Sequence, residues 1–305
     1  MVTISGITMS DLPRRSDGSE SVANTRSAAN ECRRTPKDGI IAFVAEWQGE
    51  ERLAGGAVTP VVRVGATVRR ATGHWSPRVH ELLRHLEAVG FDGTPRFLGI
   101  DEHGREVLTF VDGEVTTYEP PAGMYTEAAL TAAAALLRRF HDATVGFVHS
   151  RVDGWQFQVG APRAGHVVCH NDVGPYNAVY RNGHPIAFID WDFAAPAPRE
   201  WDIAYALWRF VPLYDDPTCA RLGWPAMPRG PRIARFLDAY GLDDRDGILT
   251  VVRQRQEVVR ETIATWADAG DPVFAAMRRE GRVTDIENDI AYVKCSHDQW
   301  EPFLR

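Results

Sequence analysis

The stretch "VVCHNDVGPYN", residues 167–177, decides how this chain is read. Three apolar residues suggest a short buried strand, and a polar loop follows at once. The loop sets Asp172 and Asn177 five residues apart. Beyond it, "RNGH" at 181–184 is an Asn-Gly hairpin signal. "PIAFIDWDFA" at 185–194 is then a second short apolar strand carrying Asp190 and Asp192. The expectation is that the turn joins these two strands and returns residues 177 and 190 to one end of the hairpin.

Oxygen-bearing side chains gathered in this way suit a hard cation. Mg²⁺ takes one or two protein oxygens and completes its shell with phosphate and water, and Asn177 and Asp190 fit that role. Asp172 would stand beside the site without being used as a ligand, where it can accept a proton from an attacking hydroxyl. Asp192 is either a second metal ligand or an exposed acid after the strand. Any one of these residues alone could serve a turn, since Asp and Asn satisfy loop backbone; the spaced set is harder to assign so. Zinc at His166, Cys169 and His170 is disfavoured. A strand alternates its faces, so His166 and Cys169 point apart, and no fourth ligand stands nearby.

Upstream lies a different kind of chain. Residues 1–38 are rich in Ser, Arg, Asn and Asp and poor in large apolar side chains, the composition of a disordered tail. "IIAFVAEW" (40–47) is a short apolar element, and "RLAGGAVTPVVRVGATVRRATG" (52–73) alternates β-branched residues with turns, as in a small antiparallel meander. "SPRVHELLRHLEAVG" (76–90) predicts a helix with Ser76 as N-cap, Pro77 at its first position and Gly90 past its end. "TPRFLGIDEHGREVLTFVDG" (94–113) predicts two strands about a His103-Gly104 turn. Beyond the linker "YEPPAGMY" (118–125) the pattern is helical: 126–144, then, after the hairpin, 200–212, 231–240, 246–269, 271–280 and 284–304.

"H-x-D-x-x-x-x-N" at 170–177 followed by "IDWD" at 189–192 resembles the catalytic loop and metal motif of the aminoglycoside phosphotransferase and choline kinase superfamily, small-molecule relatives of protein kinases. "LLRRFHDAT" (136–144) and "REWDIAYALWRF" (199–210) are similar to family stretches at the same places, and the resemblance covers roughly residues 50 to 300. It implies an α+β, two-lobed, protein-kinase-like fold with a small antiparallel β N-lobe and a larger, mostly helical C-lobe. The expected division is a tail at 1–38, the N-lobe at 39–113 and the C-lobe at 114–305. The implied activity is an ATP- or GTP-dependent phosphotransferase acting on a small-molecule hydroxyl. Asp172 is the implied base, His170 orders the loop, Asn177 and Asp190 hold Mg²⁺, and Asp202 braces the loop. An antibiotic acceptor of the aminoglycoside kind is one version of this activity and a metabolite is another.

On the nucleotide side the resemblance implies a glycine hairpin over the phosphates, here Gly55 and Gly56, and a basic residue on the third strand. The family's lysine is missing: lysine occurs only at Lys37 and Lys294. Arg69 follows the valine as the family's base does, and Arg70 faces the other way, so Arg69 is the expected phosphate contact. Glu81 is the expected acid on the following helix, and Thr109 and Val111 the hinge residues offering backbone to the base. On the acceptor side Glu257, Glu261, Asp285, Glu287 and Asp289 are acidic, with Asp285 and Asp289 on one helix face. A kinase-fold binding or immunity protein with little catalysis is the competing reading, favoured by the missing lysine and opposed by Asp172, Asn177 and Asp190.

Composition agrees with a globular protein. Apolar residues make up 44% of the 305, charged residues 25%, and the net charge of −7 speaks against nucleic acid as a partner. Cys32, Cys169, Cys219 and Cys295 are scattered without a CxxC pair, which suits a reducing, cytoplasmic setting. The N-terminus has no apolar core of signal-peptide type, and the most apolar helical run is broken by Arg138 and Arg139, so no membrane association is expected.

Overall fold

The computed structural model describes residues 50–53, 61–116, 123–147 and 153–305. The proposed tail, the 40–47 element and Gly55 and Gly56 lie outside the described residues.

The N-terminal part is a five-stranded antiparallel sheet in the order β1-β2-β3-β5-β4. Its strands are β1 (Glu51–Arg52), β2 (Val62–Val64), β3 (Thr67–Arg70), β4 (Phe97–Ile100) and β5 (Glu106–Thr109). Helix α1 (Ser76–Ala88) packs on it through Val79, Leu82, Leu83 and Leu86, the face that the apolar spacing marks out. Trp75, rather than Ser76, is the N-cap; Ser76 is the first helical residue, and its Oγ accepts the Gly73 N–H at 2.9 Å. Pro77 sits in the first turn, where its missing N–H costs nothing.

The C-terminal part opens with β6 (Glu114–Val115) and α2 (Glu127–Thr144), which is capped by the Thr126 side chain. Next come β7 (Val167–Cys169), β8 (Ala178–Arg181), β9 (His184–Phe188) and β10 (Ala195–Ala197). Helices α3 (Arg199–Phe210), α4 (Asp216–Arg221), α5 (Arg229–Tyr240), α6 (Ile248–Asp268), α7 (Pro272–Arg279) and α8 (Arg282–Trp300) complete it. The hairpin differs from expectation. The Asn182-Gly183 turn, with φ of 52° and 75°, joins β8 to β9, and β7 pairs instead with β10. β8 is too short and too close to the polar loop to announce itself; β10, "APA", lacks any strand pattern.

One buried cluster runs through both parts, from Leu82 and Leu86 on α1 through Leu137 and Phe140 on α2 to Trp208 on α3 and Phe236 on α5. A continuous core of this kind holds the small sheet against the helical part and fixes the cleft between them. Among the described residues no helix is long and apolar enough to cross a membrane.

Candidate active site

The loop at 170–177 is pinned from below. Asp202, on the first turn of α3, is fully buried and accepts the backbone N–H of His170 at 2.7 Å and of Asn171 at 2.9 Å. His141, from α2, reaches the same carboxylate at 3.2 Å. Burial works against the Asp202 charge, but these partners outweigh it and hold the carboxyl below its ordinary range. His170 donates Nε2–H to the Ile189 carbonyl at 3.0 Å, which leaves Nδ1 to accept the Asp172 N–H at 3.3 Å. Burial lowers the His170 pKa and keeps the ring neutral. This single imidazole therefore ties the loop to the "IDWD" segment. Asn171 has a left-handed φ of 63°, and its amide donates to the Phe193 carbonyl at 2.9 Å.

Asp172 is 2% exposed. Its Oδ1 accepts the hydroxyls of Tyr205 at 2.6 Å and Tyr176 at 2.8 Å, and its Oδ2 accepts Nδ2 of Asn177 at 3.0 Å. Burial pushes its carboxyl up to about 6, with the two phenols opposing the shift. A carboxylate tuned to that range suits a general base near neutral pH. Neither tyrosine follows from the motif. Tyr205 lies one helical step from Asp202, on the same face of α3, and that spacing is the signal the sequence offers.

Asp190 and Asp192 follow β9, Asp190 with a left-handed φ of 64°. Asn177 donates through Nδ2 to the Asp172 backbone carbonyl at 3.0 Å as well as to its side chain. Its Oδ1 is buried without a hydrogen-bond partner. This orphaned amide oxygen, taken with Asp190 and Asp192, gives hard oxygen donors of the kind Mg²⁺ takes. Asp192 is buried, 4% exposed, so it is not the exposed acid of the alternative reading. Burial raises the pKa of its carboxyl and the Arg70 charge opposes that shift.

Of the two strand arginines, Arg70 is the one that turns toward the aspartate pair. It faces Glu106 across the β3–β5 ladder, and its Nε meets Glu106 at 2.7 Å. Its terminal nitrogens meet Asp190 at 3.0 Å and, more closely still, Asp192. Arg69 is turned the other way: it donates to Thr67 Oγ1 at 2.6 Å and lies 3.8 Å from Asp101. The expected register is therefore off by one residue. Glu81 also departs from expectation, since it pairs with Arg78 at 2.6 Å on the outer side of α1. The acid that orients the strand base is Glu106, held in turn by His80 of α1 at 2.7 Å. In the hinge, Thr109 donates its N–H to the Arg96 carbonyl at 2.9 Å, which removes that donor from nucleotide recognition. Val111 is described but lies beyond β5, between the strand and β6.

On the acceptor side the acids divide. Asp289 is buried and accepts Trp208 Nε1 at 3.0 Å, while Asp285 meets Arg221 at 3.5 Å. Glu257 and Glu261 line a different groove, with Trp201 and Val258, on the outer side of α6. Glu287 is exposed and lies 3.8 Å from Arg260.

The chain is similar to known proteins. The phosphotransferase enzyme family model matches residues 152–248, which include the catalytic loop, the aspartate pair and α3. The trifolitoxin immunity protein of Rhizobium leguminosarum bv. trifolii is 40% identical over 236 residues, 73% of this chain and 89% of that protein. Aminoglycoside 2′-phosphotransferase IIIa, solved as its GDP complex, superposes with a TM-score of 0.54 at 14% identity, covering 80% of this chain and 93% of that one. A choline/ethanolamine kinase family protein from Mesorhizobium loti gives 0.50 at 16% identity, covering 84% and 96%. At such identities the two structures show the fold.

Proposed function

Because the chain belongs to the phosphotransferase enzyme family, we propose that it transfers the γ-phosphoryl group of ATP or GTP to a hydroxyl of a small molecule. The observation that carries this reading is Asp172: a buried carboxylate with its proton affinity raised toward neutrality, fixed by three donors and adjoining the Asn177–Asp190–Asp192 oxygen set.

Asp172 takes the proton of the acceptor hydroxyl as its oxygen attacks the γ-phosphorus. The bond from that phosphorus to the β-bridging oxygen breaks, and the nucleoside diphosphate leaves. Asn177, Asp190 and Asp192 would hold magnesium, which would supply charge neutralisation on the transferring phosphates. Arg70, anchored by Glu106, provides a fixed positive charge at the same end of the cleft. Oδ1 of Asp172 already accepts two hydroxyls, whereas Oδ2 accepts a single amide N–H and keeps a lone pair for the acceptor hydroxyl.

The test is phosphate release and transfer with MgATP and MgGTP over a panel of antibiotics, peptides and metabolites. Asp172→Asn should lower transfer by about 10²–10⁴-fold while leaving nucleotide affinity nearly unchanged. Wild-type turnover in that variant would remove Asp172 from the mechanism. The second reading is a binding or immunity protein. It is favoured by the direct contact of Arg70 with Asp190 and Asp192 and by the name of the 40% identical relative. No transfer to any acceptor on the panel, with tight binding of one of them, would favour it.

A further inference from the structure

One turn beyond Tyr205 on α3 stands Arg209. Its guanidinium lies 3.5 Å over the Trp208 ring and 5.1 Å from the Tyr205 ring, and donates to Tyr214 Oη at 2.9 Å. It is half-buried, its Nε has no hydrogen-bond partner, and among the described residues no carboxylate comes within ion-pair distance of it. Arg282, at the start of α8, is its neighbour: after burial, the charge of Arg209 is the largest influence lowering the Arg282 pKa. Nη2 of Arg282 is also unpartnered, while its Nη1 makes a long ion pair to Asp285 Oδ2 at 4.0 Å.

The acids here compensate Arg282 only at long range and give Arg209 no ion pair among the described residues. Asp285 gives its other oxygen to Arg221 at 3.5 Å. Asp289 is committed to the Trp208 indole, and burial pushes its carboxyl up to about 7, which favours its neutral form. Two neighbouring guanidiniums with spare N–H groups therefore stand together, Arg209 close enough for its charge to act on Asp172, and a buried charge without an ion-pair partner is costly unless something pairs it. Guanidinium forks match carboxylate and phosphate oxygens, and they repel a polycation.

Resting on the phosphotransferase reading, we propose that the acceptor end of the cleft binds an anionic group, a carboxylate, on the molecule to be phosphorylated. Arg209 is its main contact and Arg282 the second. This runs against a polyamine sugar as acceptor and towards a hydroxy acid or a peptide that ends in a free carboxylate.

The experiment is a calorimetric titration of the full chain with matched pairs of hydroxyl compounds. N-acetylserine, N-acetylthreonine and N-acetyltyrosine are each tested as free acid and as amide, with kanamycin as the polycation. The acids should bind roughly tenfold tighter than their amides, the scale of a charge-assisted hydrogen bond. Arg209→Gln should erase that preference, Arg282→Gln should reduce it, and Arg209→Lys should keep part of it. Equal binding of acid and amide, binding of no acid on the panel, or binding of kanamycin in preference to the acids would overturn the proposal. So would a loss of nucleotide affinity in Arg209→Gln with the acid preference intact, since that places the arginine on the nucleotide phosphates. The measurement needs no turnover, so it can fail while phosphoryl transfer stands, and the reverse.

Discussion

Arg70 and Glu106 are direct partners across the β3–β5 ladder, and their ion pair at 2.7 Å aims the guanidinium at Asp190 and Asp192. One strand register thus joins the nucleotide sheet to the catalytic segment. Burial opposes the Arg70 charge, but Asp192, Asp190 and Glu106 together hold its pKa above the ordinary arginine value. Arg70→Met should strand these carboxylates and lower stability by about 3–5 kcal/mol, the usual effect of breaking a buried pair from one side. Urea unfolding measures it. Arg70→Lys should recover much of the loss, Arg69→Met should cost under about 1 kcal/mol, and added Mg²⁺ should narrow the Arg70→Met deficit. An unchanged midpoint in Arg70→Met would deny the network its structural role.

The Tyr205 hydroxyl stabilises the ionised form of Asp172. With Asp172 as the proposed base, transfer would require that form, and turnover should rise with pH through about 6, where burial has pushed the carboxyl. Removing a donor removes an influence that lowers the pKa. Tyr205→Phe should therefore move the acid limb upward by about one unit, given roughly 1.5 kcal/mol for a bond to a charged group. A pH–rate profile of nucleotide turnover reads it directly. A loss of rate equal at every pH would mean that the tyrosine acts on packing alone.

Asp289 predicts a stability profile. Burial raises its folded-state pKa to about 7 from an ordinary 3.8. Below the ordinary value the group is protonated in both states and does not affect folding. Between there and about 7 the unfolded chain releases the proton and the folded protein holds it, so stability falls as pH rises, by an amount on the order of a few kcal/mol. Asp289→Asn keeps an acceptor for Trp208 and has no proton to lose. Its urea midpoint should exceed the wild-type value at pH 8 and match it near pH 4. Parallel curves for the two proteins would contradict the assignment.

Asp202 holds two backbone N–H groups of the catalytic loop and the His141 ring. Asp202→Ala should lower stability by about 3–5 kcal/mol through the orphaned donors. Hydrogen exchange should show the amides of His170 and Asn171 among the first to lose protection. If those amides stayed protected, the brace would lie elsewhere.

Much of this site is legible in the chain because its signals are local. The 170–177 spacing and the "IDWD" segment name Asp172, Asn177 and Asp190, and the helices follow from capping residues and apolar periodicity. What is not legible depends on pairing between distant segments. Arg69 and Arg70 are chemically equal neighbours, and only the partner strand decides which faces the cleft. Glu106 reads as an ordinary strand residue until its register with Arg70 is known. The family pattern directs attention to a helix acid, and Glu81 fits it by place rather than by surroundings. Tyr176, Tyr205 and Arg209 look like core or surface residues until the fold brings α3 beneath the loop.

The two left-handed residues of this region, Asn171 and Asp190, should leave opposite marks on natural and laboratory variation. Each holds a backbone shape that costs most L-residues roughly 1–2 kcal/mol and glycine almost nothing. At position 171 the side-chain amide contributes its main tether to the Phe193 carbonyl and a longer one to the Cys169 carbonyl. Glycine there trades those bonds for relief of strain, so a saturation library should return Asn and Gly and discard β-branched residues. At position 190 glycine offers the same relief but deletes the carboxylate that faces Arg70. A library sorted for folded protein and one sorted for catalysis should agree at 171 and diverge at 190, where the backbone and the chemistry want different residues.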